Sequence, residues 1–275
     1  MEKNRYLTVT VDVEEWFHSN WFNVDHIINK YYDGNIPETD VVESIQKILS
    51  LFKRIDIRAT FFVLGETAVK YPNIIDIIKE ENHEIACHGF NHDLDNKNVV
   101  EFRKDIRKFK NRVYGNVVGF RFPNFNFSRT NLTVLSEEGF KYDSSVVPCL
   151  PIPHWYGNLT MPIHPYYYNI DDNFLIKEYP IAVSPIIRLP GGGGWFLRNL
   201  GFLWAKIIVQ SLLLQSTHAI IYIHPWEVSN NNPNFEEIPN HVFRNCGKNT
   251  MYKLEKIIKH FKKSVSIIAL EESYE

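Results

Sequence analysis

The chain of 275 residues reads as an α/β protein, a distorted (β/α) barrel of about seven to eight parallel strands. Two observations predict this. Short runs rich in β-branched and aromatic residues alternate with stretches of helical period, the rhythm of a parallel sheet with helices outside it. About eight such runs can be counted, enough to close a barrel. No internal repeat is visible, and residues 1–275 are expected to form a single domain.

Tyr6-Leu7-Thr8-Val9-Thr10-Val11-Asp12-Val13-Glu14 begins as a β-branched strand and runs into acids. Residues 16–35 are aromatic and turn-rich, with Asp33-Gly34-Asn35 as a breaker. A helix starts near Pro37-Glu38-Thr39-Asp40, and Val41, Val42, Ile45, Ile48, Leu49 and Phe52 give it one apolar face. Residues 57–65 form a second strand ended by Gly65. Ile74, Ile75, Ile77 and Ile78 mark a helix after Pro72, and Glu84-Ile85-Ala86-Cys87 is the next strand. A basic amphipathic helix over 99–114, a strand over 117–121, a helix over 130–138 and a strand over 140–145 continue the rhythm.

Between Pro148 and Asp172 the period lapses, so an insertion at about 146–175 is expected as a functional loop or lid. Its Trp155, Tyr156, Tyr166, Tyr167 and Tyr168 are candidates for stacking on sugars or for plain packing. A strand over 176–181 follows. Pro190 and Gly191, Gly192, Gly193 and Gly194 then give a flexible turn into one helix over 195–215. Residues 219–225 are a strand, 229–239 a loop, 250–263 a helix and 265–270 a last strand.

A hydrophobic fraction of 44% is globular, and a net charge of −2 gives no reason to expect a nucleic-acid partner. Cys87, Cys149 and Cys246 lack metal-type spacing and cannot all pair, so a reducing compartment is expected. Met1-Glu2-Lys3-Asn4-Arg5 leads straight into a strand without an apolar signal segment, which predicts a cytoplasmic protein. The apolar stretch 195–214 is interrupted by Arg198, Asn199, Lys206 and Gln210 and is too polar for a bilayer span. A helix packed on the barrel is the first expectation there; contact with a membrane surface is the lesser one.

Four strand ends carry chemistry. Side chains alternate along a strand, so Asp12 and Glu14 share a face, and two neighbouring carboxylates repel unless a cation or an arginine compensates. His88 and His92, with Gly89 between them for the turn, are spaced so that both imidazoles can reach one cation. Two histidines and one carboxylate, with a position left for water, account for both segments at once. Arg121 and His224 end two further strands. Taken singly, Arg121 reads as a surface ion pair and His224 as a core histidine capped by Pro225. Their agreement with the other two ends points to a site at the carboxyl edge of the sheet.

These residues resemble the polysaccharide deacetylase superfamily (carbohydrate esterase family four and its relatives). Its acidic first motif, His-x3-His second motif, Arg-x-Pro third motif and late strand ending in histidine look like Thr10-Val11-Asp12-Val13-Glu14, His88-Gly89-Phe90-Asn91-His92, Arg121-Phe122-Pro123-Asn124 and Ile221-Tyr222-Ile223-His224-Pro225-Trp226. The resemblance spans nearly the whole chain in the expected order. The first motif departs from adjacent aspartates and looks like the branch with acids spaced by one residue. The usual fourth motif, an Asp/Trp pair orienting the acid histidine, is not seen. Residues 191–195 stand roughly where it would fall, so the partner of His224 stays open.

The resemblance implies metal-dependent hydrolysis of an N-acyl amide on a sugar or glycan precursor. Glu14, His88 and His92 would hold one divalent ion, most simply Zn2+, with Co2+, Ni2+ or Mn2+ as alternatives. Asp12, held ionised by Arg121, would be general base and His224 general acid. Asn124, Pro123, Trp226 and Trp195 would contact substrate, with the backbone N–H of Asn124 facing the oxyanion. A nucleotide- or lipid-linked glycan is the expected partner. The competing readings are an amide hydrolase of a small non-sugar substrate, with or without metal, and a non-catalytic carbohydrate-binding homologue.

Overall fold

The computed structural model describes residues 5–94, 97–113, 115–126, 128–153, 155–171 and 174–274. Its centre is the strand β1 (Tyr6–Val13), and the pattern of that strand explains the rest. Leu7, Val9, Val11 and Val13 are fully buried in the apolar layer between sheet and helices. The alternate residues Thr8, Thr10 and Asp12 face the inside of the sheet's curl, where Thr8 meets His218 and Thr10 meets Arg121. A strand apolar on one face and polar on the other has only one way to sit here.

On one edge β1 pairs in parallel with β2 (Thr60–Val63), followed outward by β3 (Glu84–Cys87), β4 (Gly119–Phe120) and β5 (Tyr142–Asp143). Beyond β5 come β6 (Tyr166–Asp171) and β7 (Phe174–Glu178), an antiparallel hairpin whose second strand pairs with β5. On its other edge β1 pairs with β8 (His218–Ile223), while β9 (Ser266–Ile267) joins Tyr6 and Leu7 on the side that β2 reaches only at Thr10. After β7 the chain bridges the two ends of the sheet. Tyr179 N–H donates to Asp143 O, Ile181 N–H to Val146 O, and Ala182 N–H to Ile220 O, each at 2.9 Å. The result is the distorted barrel that the alternation predicts, with one antiparallel member.

The helices are α1 (Val24–Tyr31), α2 (Val41–Ile55), α3 (Gly65–Lys70), α4 (Ile74–Glu80), α5 (Val99–Arg112), α6 (Arg129–Glu137), α7 (Gly194–Leu200), α8 (Phe202–Leu213), α9 (Pro225–Val228) and α10 (Lys248–Phe261). Tyr114, expected at the end of α5, lies outside the described residues. Three expectations are corrected. The aromatic, turn-rich segment 16–35 contains α1, capped by Asn23, whose side chain accepts from His26 N–H. Ile27 of that helix is buried in a separate cluster with Trp16, Ile238 and Val242. The segment 146–175 is not a structureless lid, because it contributes β6, whose backbone bonds β7 supplies from beyond the segment's irregular part.

The single helix expected over 195–215 is two helices. Gly201 separates them with a φ of +90°, which places the chain in a conformation that side-chain-bearing residues rarely adopt. Among the described residues no helix is long and apolar enough to cross a membrane.

Candidate active site

One parity rule brings the site together. In β3, Glu84 and Ala86 face inward, so the next inward residue past the strand's end is His88; in β8 the inward series His218, Ile220 and Tyr222 continues to His224. Arg121 follows β4 in the same way. With Asp12 and Glu14 at the end of β1, four side chains from three strand ends line one cavity of about 60 Å³ together with His92. Arg121 lies beneath it, fully buried.

The loop from His88 to His92 is held from behind. Gly89 has a φ of +83°, and a Cβ there would stand 2.8 Å from Leu94 Cδ1. Asp105, buried in α5, accepts Phe90 N–H at 2.6 Å and Asn91 N–H at 3.3 Å, and Lys97 pairs with it at 2.6 Å. His92 N–H leans on Glu66 at 3.4 Å, and the His92 ring stacks on His18 with centroids 5.3 Å apart. His18 and Glu66 are themselves joined at 3.1 Å.

Glu14, His88 and His92 offer ligand atoms that all lie within 4.8 Å of one another. His88 Nδ1 sits 2.8 Å from Arg121 O, and a carbonyl only accepts, so this nitrogen carries the proton. The other nitrogen, Nε2, then presents a lone pair to Glu14 Oε2 at 3.5 Å. His92 Nε2 lies 2.9 Å from the same oxygen. A lone pair aimed at a carboxylate oxygen is repulsive unless a cation or proton lies between them. Bond lengths of about 2.0–2.1 Å around a tetrahedral Zn2+ give ligand–ligand separations of roughly 3.3 Å, so the trio fits a divalent ion of that size. The hydrogen bond from His88 Nδ1 to a backbone carbonyl is the outer support that metal-binding imidazoles ordinarily have. Burial would push the Glu14 carboxyl up, yet His92, His224 and His88 outweigh it and hold it well below the usual carboxylate range.

Asp12 is 1% exposed and is clamped by Arg121, whose Nη1 donates to Asp12 Oδ1 at 2.6 Å and to Thr10 Oγ1 at 2.7 Å. The rest of the guanidinium donates to Ser144 O and Ser144 Oγ, each at 2.8 Å, and lies 4.1 Å over the Phe62 ring. Every face of this arginine is engaged, so Asp12 has a fixed orientation and a permanent counter-charge.

His224 has the partner that its neighbouring sequence left open. Glu227, one helical turn on in α9, accepts the His224 backbone N–H at 2.9 Å and lies 3.2 Å from Nδ1. Arg198 of α7, fully buried, donates through Nε to Glu227 Oε1 at 2.7 Å and through Nη1 to Arg244 O at 2.6 Å. Burial would lower the His224 imidazole, but Glu14 and Glu227 outweigh it and push it up to about 9. Trp226 stacks on the ring at 5.1 Å with planes 14° apart. His224 and Asp12 thus line one cavity with Glu14, His88 and His92, and the two carboxylates beside His224 favour its protonated form.

Asn124, Trp195 and Trp226 line the same cavity, whereas Pro123 does not; it is buried beneath and starts the turn that presents Asn124. Asn124 and Phe125 have φ of +58° and +57°, backbone strain of the kind that gathers at functional sites. Two wider grooves open from the cavity. One of about 690 Å³ is lined by Asn124, Asn126, Asn158 and Tyr156, and the other, of about 470 Å³, by Trp21, Trp155, Trp195 and His241. Tyr166, Tyr167 and Tyr168, grouped with Trp155 on the sequence, instead belong to β6 and line none of these spaces.

Glu227, Arg198, His18, Glu66 and Trp21 are the site residues that sequence reading missed. Only Glu227 left a signal, as an acid three residues after a strand-end histidine, the spacing of a helix-capping pair.

Residues 30–142 match the family described as polysaccharide deacetylase, and residues 144–266 match a domain of unknown function, DUF3473. A peptidoglycan-N-acetylglucosamine deacetylase of Bacillus cereus is 41% identical over 78 residues, covering 27% of this chain and 28% of that protein. A peptidoglycan deacetylase of Helicobacter pylori is 24% identical over 153 residues, covering 52% of this chain and 48% of that protein. The chain thus spans about half or less of the length of these curated relatives. A Mycobacterium smegmatis structure described as a polysaccharide deacetylase shares the fold with a TM-score of 0.68 at 16% identity, covering 100% of this chain and 90% of the other. An allantoinase shares it with a TM-score of 0.64 at 15% identity, over 97% and 87% of the two chains.

Proposed function

From its membership of the polysaccharide deacetylase superfamily we propose that this chain hydrolyses the N-acetyl amide of an amino sugar within a glycan, releasing acetate and a free amine. The observation that carries the reading is that Asp12 and His224 line the same cavity as the Glu14, His88 and His92 trio. A small acyl group and one water suit a central space of about 60 Å³.

Asp12, oriented by Arg121, takes the proton of the attacking water. His224 then gives its proton to the departing nitrogen, which would otherwise be a poor leaving group. Glu227 and Arg198 keep His224 charged and aimed. Asn124, which lines the cavity, would donate its backbone N–H to the oxyanion. A divalent cation bound by Glu14, His88 and His92 would polarise the amide carbonyl and acidify the water, and two imidazoles with one carboxylate are a donor set that catalytic zinc uses. The amide-lined groove suits sugar hydroxyls, and the tryptophan-lined groove suits the apolar face of a neighbouring ring or the carrier of a nucleotide- or lipid-linked precursor.

The test is acetate release from N-acetylated chito-oligosaccharides and peptidoglycan fragments. Activity is expected, lost after dialysis against a chelator and restored by Zn2+. Asp12→Asn should reduce turnover by about 10²–10⁴-fold while metal content by mass spectrometry stays unchanged. A zinc-loaded protein that leaves every N-acetyl sugar intact yet cleaves a small cyclic amide would replace this reading with the one that the allantoinase fold supports.

A further inference from the structure

The face built by α8 and the hairpin before it is apolar, exposed and without acids. Leu203, Ile207 and Leu214 lie along one side of α8 and are 67%, 62% and 71% exposed, while Ala205, Ile208, Val209 and Leu212 on the opposite side are buried against the barrel. The exposed side thus carries three large apolar residues beside Lys206 and Gln210, and packing on the barrel accounts only for the buried side. Beside it, Val183 and Pro190 pair as the base of a hairpin whose tip carries Ile186 and Ile187, 86% and 60% exposed. This hairpin stands on α8, since Trp204 Nε1 donates to Pro190 O at 3.0 Å. Leu200, at the end of α7, adds another exposed apolar side chain.

The segment that builds this face carries charges of one sign. Between Glu178 and Glu227 the sequence contains no aspartate or glutamate, only Arg188, Lys206 and the buried Arg198 that pairs with Glu227. Lys256 of α10 reaches over the Phe202 ring at 4.5 Å, and the same ring meets His260 at 5.9 Å. His260 is held below its ordinary value by burial and by the charges of Lys206 and Lys263. The acid nearest in sequence on α10, Glu255, is taken up by Arg54 and Lys259.

The geometry points to this face as a peripheral docking surface for an anionic lipid bilayer, with Leu203, Ile207 and the hairpin tip entering the acyl boundary and Lys206, Lys256 and Lys263 meeting the phosphates. Apolar side chains rimmed by cations are what binding in the plane of an interface requires. The helix lies on such a surface and does not cross it. The assignment goes beyond the hydrolase reading and does not depend on it. It would also bring the tryptophan-lined groove, which α7 enters at Trp195, close to membrane-held glycans.

The experiment is flotation of the whole chain with vesicles of equal phosphatidylglycerol and phosphatidylcholine, compared with phosphatidylcholine alone. The protein is expected to float with the anionic vesicles at low salt and to be released by high salt. Leu203→Glu combined with Ile207→Glu should lower the bound fraction at least tenfold, and Lys206→Glu with Lys263→Glu should lower it less and remove the salt dependence. Circular dichroism melting and acetate release from a soluble oligosaccharide, unchanged in both variants, separate loss of docking from loss of fold. Wild-type protein that stays at the bottom of the gradient with anionic vesicles overturns the proposal. So does an apolar variant that floats as well as wild type, or a light-scattering dimer that the apolar variant dissociates without any flotation.

Discussion

His224 stands between two carboxylates, with Glu14 3.4 Å from Nε2 and Glu227 3.2 Å from Nδ1. Both favour the protonated ring. A divalent cation on Glu14 would offset that carboxylate's pull, so in the loaded site the proton on His224 depends mainly on Glu227. Replacing Glu227 by Gln removes a charge that raises the His224 pKa, so the pKa falls and the acid form is lost at lower pH. The alkaline limb of the kcat/KM profile should therefore move to lower pH, with turnover at neutral pH reduced roughly tenfold or more. A profile that drops uniformly without moving would show that Glu227 only holds the loop. His224→Ala should abolish turnover, and isothermal titration should still find zinc bound. Loss of zinc in that variant would mean that His224 is a ligand and not the acid.

At the scale of the element, two supports far from the reacting groups should be felt at them. Asp105 of α5 accepts the backbone N–H groups that shape the His88-to-His92 loop. Asp105→Ala leaves those donors buried without partners and is expected to cost about 1–3 kcal/mol in urea unfolding. Because the loop positions two imidazoles, zinc affinity should fall by roughly 10–100-fold, the usual effect of losing an outer support. Gly194, the first residue of α7, sits where a Cβ would collide with the Glu227 carboxylate. That carboxylate is held by Arg198 and His224 and cannot swing aside without breaking a contact. Gly194→Ala should thus reproduce the pH shift of Glu227→Gln while zinc affinity stays unchanged, which a pH–rate profile and a titration together would show.

For the whole molecule, buried titratable groups of opposite kind shape stability against pH. Burial lowers His218 to about 3 and His83 to about 4, so both stay neutral in the folded chain at pH values where the unfolded chain, at 6.5, takes up protons. Their contribution is present above 6.5 and is lost as pH falls toward 4 and 3. Glu84 behaves inversely. Burial raises it to about 7 against Thr60 and Tyr142, so it stays protonated when folded while the unfolded carboxyl ionises from 4.5 upward. Its contribution is present below 4.5 and is lost as pH rises through 7. The slopes oppose each other between 4.5 and 6.5, where the two histidines outweigh the one carboxyl, so these three groups make stability rise with pH and level off near neutrality. In thermal melts, His218→Gln should lessen the acid-side fall in Tm, and Glu84→Gln should steepen the rise of Tm between pH 4.5 and 7. A variant that only lowers Tm by the same amount at every pH would deny the titration a part.

Much of the fold and half of the site are legible because they rest on local periods. A strand repeats every two residues, so Thr8, Thr10, Asp12 and Glu14 declare a common face, and the His88-to-His92 spacing and the Arg121-to-Pro123 run need nothing outside their own segments. A helix repeats every 3.6, which shows the apolar face of α2. Those periods determined the alternation of elements, the distorted barrel and the strand ends at which the chemistry sits. Only the tertiary structure decided that Glu227 and Arg198 support His224, that His18 and Glu66 stand behind His92, that the 146–175 segment supplies a strand, and that one side of α8 is left uncovered. These are choices between partners distant in the chain, Arg198 and Glu227 for one, and no local period records which of many equally polar or apolar side chains the closed barrel brings within reach.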